Sequence, residues 1–331
     1  MTAENITRVI LNNHIPSGIP KPSDFTIETV SAPTADILND NELLVRPLYL
    51  SCDPYMRNRI KGNATGLGVC VVEASSSDRF APGDHITTGL FDWAQKAIVP
   101  AEGRRKVNET DRVSLVDYIG VFGMPSFTAY VGTVVLGKPK KGETLLVTSA
   151  AGAVGQMVVQ LAKARGLRVV AVAGSNDKIE FVKTLGADAA FNYKTCGNFE
   201  HAIHQAAPEG IDIYFDNVGG EFLDAALMNM RHHGRVIPCG MASQYNIAAD
   251  DEYKMENFSQ VIIRKLTIIG FLVMEYYPTA SFTEFIAEVS TLYACGKITY
   301  KIDEIVGLEN GPAALIDVFD GSNVGKRIIR V

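Results

Sequence analysis

The chain has little of what staples a small fold or ties one to a membrane. Its five cysteines, Cys52, Cys70, Cys196, Cys239 and Cys295, are odd in number and widely spaced, with no C-x-x-C pair. That spacing indicates neither a disulfide framework nor a structural zinc site. Histidine is scarce too, and His14, His85, His201, His204, His232 and His233 make no tight constellation with cysteine or acid of the kind a catalytic zinc needs. His201 and His204 read as a solvated helix face, and His232 with His233 is expected to end a helix, where a cationic ring suits the dipole. No metal is expected. Basic excess is missing as well: 31 Lys and Arg against 37 Asp and Glu leave a net charge of −6 without clusters, so nucleic acid is not an expected partner. The longest apolar run, Leu266 to Met274, is about half of what a bilayer crossing requires, and no secretory leader opens the chain. A cytoplasmic protein without a membrane partner is the expectation.

What is present is a large apolar fraction, 47% of 331 residues, enough for two domains. The most informative stretch is Ala150-Ala151-Gly152-Ala153-Val154-Gly155, which a strand, Thr144 to Ser149, enters and an amphipathic helix leaves. Gly152 and Gly155 bare backbone N–H groups that a pyrophosphate can approach, and the helix from Val154 adds its positive end. Alanine holds the first glycine place of G-x-G-x-x-G, so context carries the assignment. Strands at Arg168–Ala173, Ala189–Tyr193, Ile211–Asp216 and Gly234–Cys239 alternate with helices at Gln156–Arg165, Asp177–Leu185, Phe199–Ala207 and Phe222–Arg231. That alternation predicts an α/β fold with a doubly wound parallel sheet of the Rossmann kind.

The end of the second strand selects the cofactor. An NAD-type site places an acid there for the ribose; this chain has Ala173-Gly174-Ser175, with Lys178 on the first turn of the next helix. NADP(H) is the predicted cofactor, with Lys178 at the 2′-phosphate and Tyr193 at the adenosine side. Asp177 reaching a ribose hydroxyl is the alternative.

Residues 1–121 read differently, as short β-rich runs at Glu42–Leu48, Gly68–Glu73 and Gln95–Val99 cut by Pro, Gly and Asp turns. Strand patterns return at Tyr300–Val306 and Lys326–Val331, around a helix at Pro312–Phe319. The expected division is therefore a β-rich substrate domain of residues 1–121 completed by 297–331, around a cofactor domain of 122–296, with the site at their junction.

Six motifs carry a resemblance: Leu50-Ser51-Cys52-Asp53-Pro54-Tyr55-Met56-Arg57; Gly123-Met124-Pro125 with Thr128-Ala129-Tyr130; Ala150 to Gly155; Phe191-Asn192-Tyr193-Lys194; Asp216-Asn217-Val218-Gly219-Gly220; and Cys239 to Asn246. In that order they resemble the zinc-independent medium-chain dehydrogenase/reductases, specifically the NADPH-dependent alkenal and enone double-bond reductases. The resemblance implies a GroES-like N-terminal domain, a Rossmann domain and a homodimer. It implies metal-free reduction of a C=C bond conjugated to a carbonyl, with hydride delivered to Cβ and a proton to Cα. It places Gly152, Ala153, Val154 and Gly155 at the pyrophosphate, Lys178 and Tyr193 at the 2′-phosphate, and Asn217 near the ribose or nicotinamide. Cys239, Ser243 and Tyr245 would border the cofactor, with Phe271, Leu272, Val273 and Met274 at the nicotinamide end and Asn323 reaching in from the tail. Cys239 as a small apolar strand residue and Asn323 as a turn asparagine are the structural alternatives.

Two departures touch the substrate. The segment Asn58–Gly66 is short, with Leu67 where a tyrosine is expected, and Ile263 replaces a second tyrosine before the Gly270-Phe271 strand. Tyr55, Tyr276 and Tyr277 remain as pocket phenols, Tyr55 being the candidate proton donor, and Met124 with Pro125 would wall a pocket for a small apolar α,β-unsaturated carbonyl. Asp53 and Arg57, four apart, are expected to pair and brace their loop. A quinone reductase and a non-catalytic NADPH-binding redox sensor are the alternative readings, a zinc alcohol dehydrogenase a remoter one.

Overall fold

The computed structural model describes residues 4–12, 15–59 and 64–331, so His14 and residues 60–63 of the shortened segment lie outside the description. The chain separates into two compact units, one of residues 1–120 with 302–331, the other of residues 121–301.

Unit one opens with β1 (Asn5–Leu11), β2 (Phe25–Ser31) and β3 (Glu42–Ser51), a single helical turn α1 (Met56–Arg59), then β4 (Thr65–Ser75), β5 (His85–Asp92), β6 (Ala97–Pro100) and β7 (Arg105–Val107). β1 and β2 pair antiparallel; β3, β4, β5 and β7 follow one another in an antiparallel sheet, with β6 paired to β3. Alternating apolar positions send Leu43, Val45, Cys70, Val72 and Ile86 into one core with Trp93.

Unit two carries α2 (Met124–Tyr130), β8 (Thr144–Val147), α3 (Gly155–Ala164), β9 (Arg168–Ala173), α4 (Asn176–Thr184), β10 (Ala189–Asn192), α5 (Phe199–Ala206), β11 (Ile211–Asp216), α6 (Gly220–Leu227), β12 (Met230–Pro238), α7 (Gln260–Ile263), β13 (Thr267–Ile268) and α8 (Ala280–Ala294). Its six strands lie parallel in the order β10-β9-β8-β11-β12-β13. β8 is buried at every position and β9 at all but its first, as parallel strands covered on both faces must be. Ser175 and Asn198 cap α4 and α5 through their side chains. The chain then returns to unit one through β14 (Ile302–Val306), α9 (Gly311–Asp320) and β15 (Lys326–Arg330), which pairs parallel with β14 and antiparallel with β3.

Two expectations are corrected. His232 and His233 do not end a helix: α6 stops at Leu227, Asn229 bonds back to Ala226 and gives its carbonyl to Ile211, and the next residue joins the sheet as β12. Both histidines lie exposed on that strand, where the register against β11 shifts and His233 takes φ +62°. Nor do Gly270 and Phe271 belong to a strand. β13 covers Thr267–Ile268 alone, and Val273–Tyr276 coil into a 3₁₀ turn.

Candidate active site

The turn between β8 and α3 is built for close approach. Ser149 adopts φ +51°, the Ala150 amide donates to the Val172 carbonyl at 2.9 Å and the Gly152 amide to Ser149 O at 3.0 Å. A Cβ on Gly155 would press on the Ser149 carbonyl and stand 2.6 Å from Ala150 Cα, so only glycine lets α3 seat on the strand it follows. Gly152, Ala153 and Val154 remain half-buried around the helix start, where the first N–H groups have no acceptor within the helix and carry the positive end of its dipole. An anion is the natural occupant.

The neighbouring strand end supplies the second feature. Past Ala173, Ser175 Oγ accepts the Lys178 amide at 3.3 Å, holding Lys178 in the first turn of α4, while Asp177 is exposed. Tyr193 bonds its amide to Ala173 O at 3.1 Å and lays its ring over Gly174, where a Cβ would meet the ring at 2.9 Å. Lys194 Nζ lies 6.0 Å from that ring's centre. Ala173-Gly174-Ser175 thus has cations beside it and no carboxylate of its own. Lys194 was readable only as the neighbour of Tyr193.

At the end of β11, Asp216 is buried and accepts from Tyr214 Oη at 2.7 Å, Val218 N at 2.9 Å and Gly219 N at 3.0 Å. Burial raises its carboxyl, and those hydrogen bonds oppose the rise. The turn so fixed points Asn217 back at β8, its Nδ2 on Thr148 O at 2.7 Å and its amide on Thr148 Oγ1 at 3.0 Å. The next strand end lies alongside: Cys239 N donates to Asp216 O at 2.7 Å, and Ser243 gives both its amide (3.1 Å) and its hydroxyl (2.7 Å) to Val218 O. Tyr245 Oη accepts the Met241 amide at 3.1 Å. Asn217, Cys239, Ser243 and Tyr245 therefore form one patch following β11 and β12. Cys239 stands just past β12, and burial pushes its thiol up to about 12, so it carries no nucleophilic chemistry at neutral pH. Sequence reasoning missed Asp216 as the organiser of this patch; an acid directly after the apolar Ile213-Tyr214-Phe215 run was the available signal.

The segment expected at the nicotinamide end is less uniform. Phe271 is half-buried close to Gly132, where a Cβ would stand 3.2 Å from the Phe271 ring and 2.5 Å from Phe215. Val273 is half-buried, whereas Leu272 and Ile263 are 67% and 59% exposed within this unit. Tyr276 packs edge-on to Phe271, and Tyr277 lies 4.9 Å from the rings of both Phe127 and Phe282, within an aromatic cluster. Met124 and Pro125 start α2, Pro125 buried.

In unit one, Tyr55 is half-buried against the core and Leu67 half-buried in β4. Asn323 turns its amide onto Gly325 O at 2.9 Å, the local turn geometry. The structure gives Asp53 another partner than Arg57. Lys326, with no exposed side-chain surface, reaches Asp53 Oδ1 at 3.0 Å, Cys52 O at 2.6 Å and Arg327 O at 3.1 Å, and Ser51 Oγ donates to the other Asp53 oxygen. Arg57 donates instead to the carbonyls of Ile15 and Gly18 at 2.7 and 3.1 Å. A four-residue spacing pairs side chains only along a helix, and α1 starts after Asp53.

A parallel sheet in this strand order, with a glycine turn opening its first helix, defines a dinucleotide-binding oxidoreductase domain. Residues 153–291 match the model described as zinc-binding dehydrogenase, and residues 8–107 that described as N-terminal domain of oxidoreductase. The chain is 40% identical to a 2-alkenal reductase (NADP(+)-dependent) of Nicotiana tabacum, over 98% of this chain and 97% of that one. It is 37% identical to (+)-pulegone reductase of Mentha piperita, with 98% of each covered. CurA of Vibrio vulnificus in complex with NADPH superposes with a TM-score of 0.89 at 33% identity, over 98% of this chain and 99% of that one. The chain belongs to the medium-chain dehydrogenase/reductases, in the group of NADP-dependent double-bond reductases. Among the described residues, no three His, Cys, Asp or Glu side chains group as metal ligands.

Proposed function

We propose that this protein is an NADPH-dependent reductase of α,β-unsaturated aldehydes and ketones, saturating the conjugated C=C bond without a metal ion. The acid-free strand end at Ala173-Gly174-Ser175, flanked by Lys178 and Tyr193, is the observation that carries the cofactor choice, because a carboxylate there would repel a 2′-phosphate. Ala153 and Val154 offer the pyrophosphate their backbone N–H groups, Gly152, whose own amide is turned to Ser149 O, leaves room for its approach, and Gly155 keeps the helix close. Asn217, Cys239, Ser243 and Tyr245 border the ribose and nicotinamide; Phe271, Leu272 and Val273 border the nicotinamide from the other side, and Asn323 approaches from the tail. Bound NADPH supplies the hydride that reaches Cβ. The chain's own contribution is to hold the enone, exclude water and deliver the proton to Cα. Tyr55 is assigned that donation, a phenol being protonated at neutral pH. Leu67 in unit one, and Met124, Pro125, Ile263, Tyr276 and Tyr277 in unit two, are the residues assigned to the substrate in this reading, and leucine and isoleucine in place of phenols favour small apolar substrates.

A homodimer is part of the proposal. β13 is the last strand of its sheet, and Ile262 (81%), Leu272 and Met274 (62%) expose large side chains around it. A soluble protein covers such an edge. Five unpaired cysteines support a reducing, cytoplasmic setting.

The test is NADPH oxidation, with NADH alongside, against linear alkenals, aryl enones, cyclic enones and quinones, with products identified. Saturated carbonyl product is the expected result; quinol alone would overturn the substrate assignment. Tyr55→Phe is expected to lower kcat by about tenfold or more with NADPH binding intact, and an unchanged kcat would return Tyr55 to packing.

A further inference from the structure

The segment after β12 is held at two places by one turn-and-helix unit. Its near end, Cys239 to Ser243, is bonded along Asp216, Asn217 and Val218. Its far end is bonded to a single carboxylate on the helix that follows that turn. Asp224 on α6 is 2% exposed, and among the described residues no cation pairs with it. Everything it accepts comes from Tyr253–Asn257: the Tyr253 hydroxyl at 3.1 Å, the Glu256 and Asn257 amides at 3.2 and 2.8 Å, and Asn257 Nδ2 at 3.1 Å. A carboxylate is costly to bury, and here four donors from one stretch of chain compensate the loss of water.

Gln244 connects the two ends. Its Oε1 accepts the Tyr253 amide at 2.9 Å, and its Nε2 donates to Ser243 Oγ at 2.8 Å, the hydroxyl that itself donates to Val218 O. Space forces this link: Gly220, at φ +57°, lies so close that a Cβ would stand 2.5 Å from Gln244 Nε2 and 2.8 Å from Ser243 Oγ. The chain of bonds runs from the Asp224 carboxylate through Tyr253 and Gln244 to Ser243.

We propose that Asp224 is a positioning residue for the cofactor: it latches residues 253–257 to α6, and through Tyr253 and Gln244 it fixes Ser243 and Tyr245. The inference rests on the assignment of Ser243 and Tyr245 to NADPH. The latch predefines the cofactor-binding form of the 239–257 segment, so its loss weakens NADPH binding without altering the chemical step.

The test uses the full chain, with NADPH titrated by its own fluorescence and amide exchange followed in peptides covering 241–257. Tyr253→Phe removes one donor from an exposed position and is expected to raise the NADPH Kd about threefold; Asp224→Asn replaces one acceptor oxygen by an amide NH2 facing donors and is expected to raise it about tenfold. Exchange in 241–257 should quicken in both, with the KM for the enone unchanged. A Kd equal to that of the unaltered protein in Tyr253→Phe, whatever the exchange, overturns the latch; so does unchanged exchange. Tyr253→Phe decides alone if Asp224→Asn does not fold. Failure of the unaltered protein to bind NADPH would overturn the cofactor assignment and the latch together, and is seen before any variant is made.

Discussion

The parallel sheet of unit two is built from largely apolar strands with much of its polar chemistry gathered at the strand ends, whereas the mixed sheet of unit one buries an ammonium beside β3. In unit two, several of the elements that build the site follow directly from their neighbours in sequence: Thr144–Val147 runs into the Gly155 helix, and Ser175 caps the helix after β9. In unit one, closure depends on a residue 273 positions away, Lys326 reaching Asp53. Local elements tolerate local change, while a long-range buried ion pair concentrates stability in two side chains. The comparison also separates the proposed tasks, since the proposed cofactor patch belongs to unit two and Tyr55, the proposed proton donor, follows the Asp53 anchor in unit one.

Breaking that anchor should give the largest effect. Lys326→Met leaves Asp53 buried without its counter-ion and is expected to destabilise unit one by about 3–5 kcal/mol. Trp93, the sole tryptophan, is buried in the unit-one core and reports that transition by its fluorescence during urea unfolding. Adding Asp53→Asn should recover part of the loss, because the uncompensated charge is gone. A Trp93 transition unmoved by Lys326→Met would remove the ion pair from any structural role. In unit two the counterpart is Gly155→Ala. Its methyl would meet the backbone of Ser149 and Ala150, which cannot swing aside, so a cost of about 1–3 kcal/mol is expected together with weakened NADPH binding. A thermal melt followed at helix wavelengths and a nicotinamide fluorescence titration check both parts. Normal binding in this variant would show that α3 need not seat closely to hold the pyrophosphate.

Legibility in the sequence follows the same divide. The strands Arg168–Ala173 and Ile211–Asp216 were readable to the residue, because short, mainly apolar, β-branched and aromatic runs bounded by Gly, Ser and Asn turns leave few other options. The β12 start was missed because Met228, Asn229 and Met230 continue a helical pattern, and only capture by β11 ends it. The resemblance put a strand at Gly270-Phe271, yet β13 covers Thr267–Ile268 alone and Leu272 and Met274 are exposed. The glycine turn, Lys178, Tyr193 and Asn217 were named from sequence. The partners of Asp53 were not, since Lys326 enters from the far end of the chain and no spacing rule reaches it. Asp224 was invisible for the same reason: a lone acid in Phe222-Leu223-Asp224-Ala225 reads as a surface residue until the 253–257 segment folds over it.

The smallest effect sharpens the comparison at the cofactor itself. Lys178 is half-buried, its amide tied to Ser175 Oγ, so the first turn of α4 fixes its backbone. A partly solvated cation facing a 2′-phosphate contributes a charge-assisted contact that salt screens. Lys178→Ala is expected to raise the KM for NADPH by about tenfold, near 1.4 kcal/mol, with the KM for NADH and both kcat values close to unchanged. Raising ionic strength should shrink the difference between the two proteins. Equal changes for NADPH and NADH would move the phosphate contact elsewhere, with Lys194 beside the Tyr193 ring as the next cation to test.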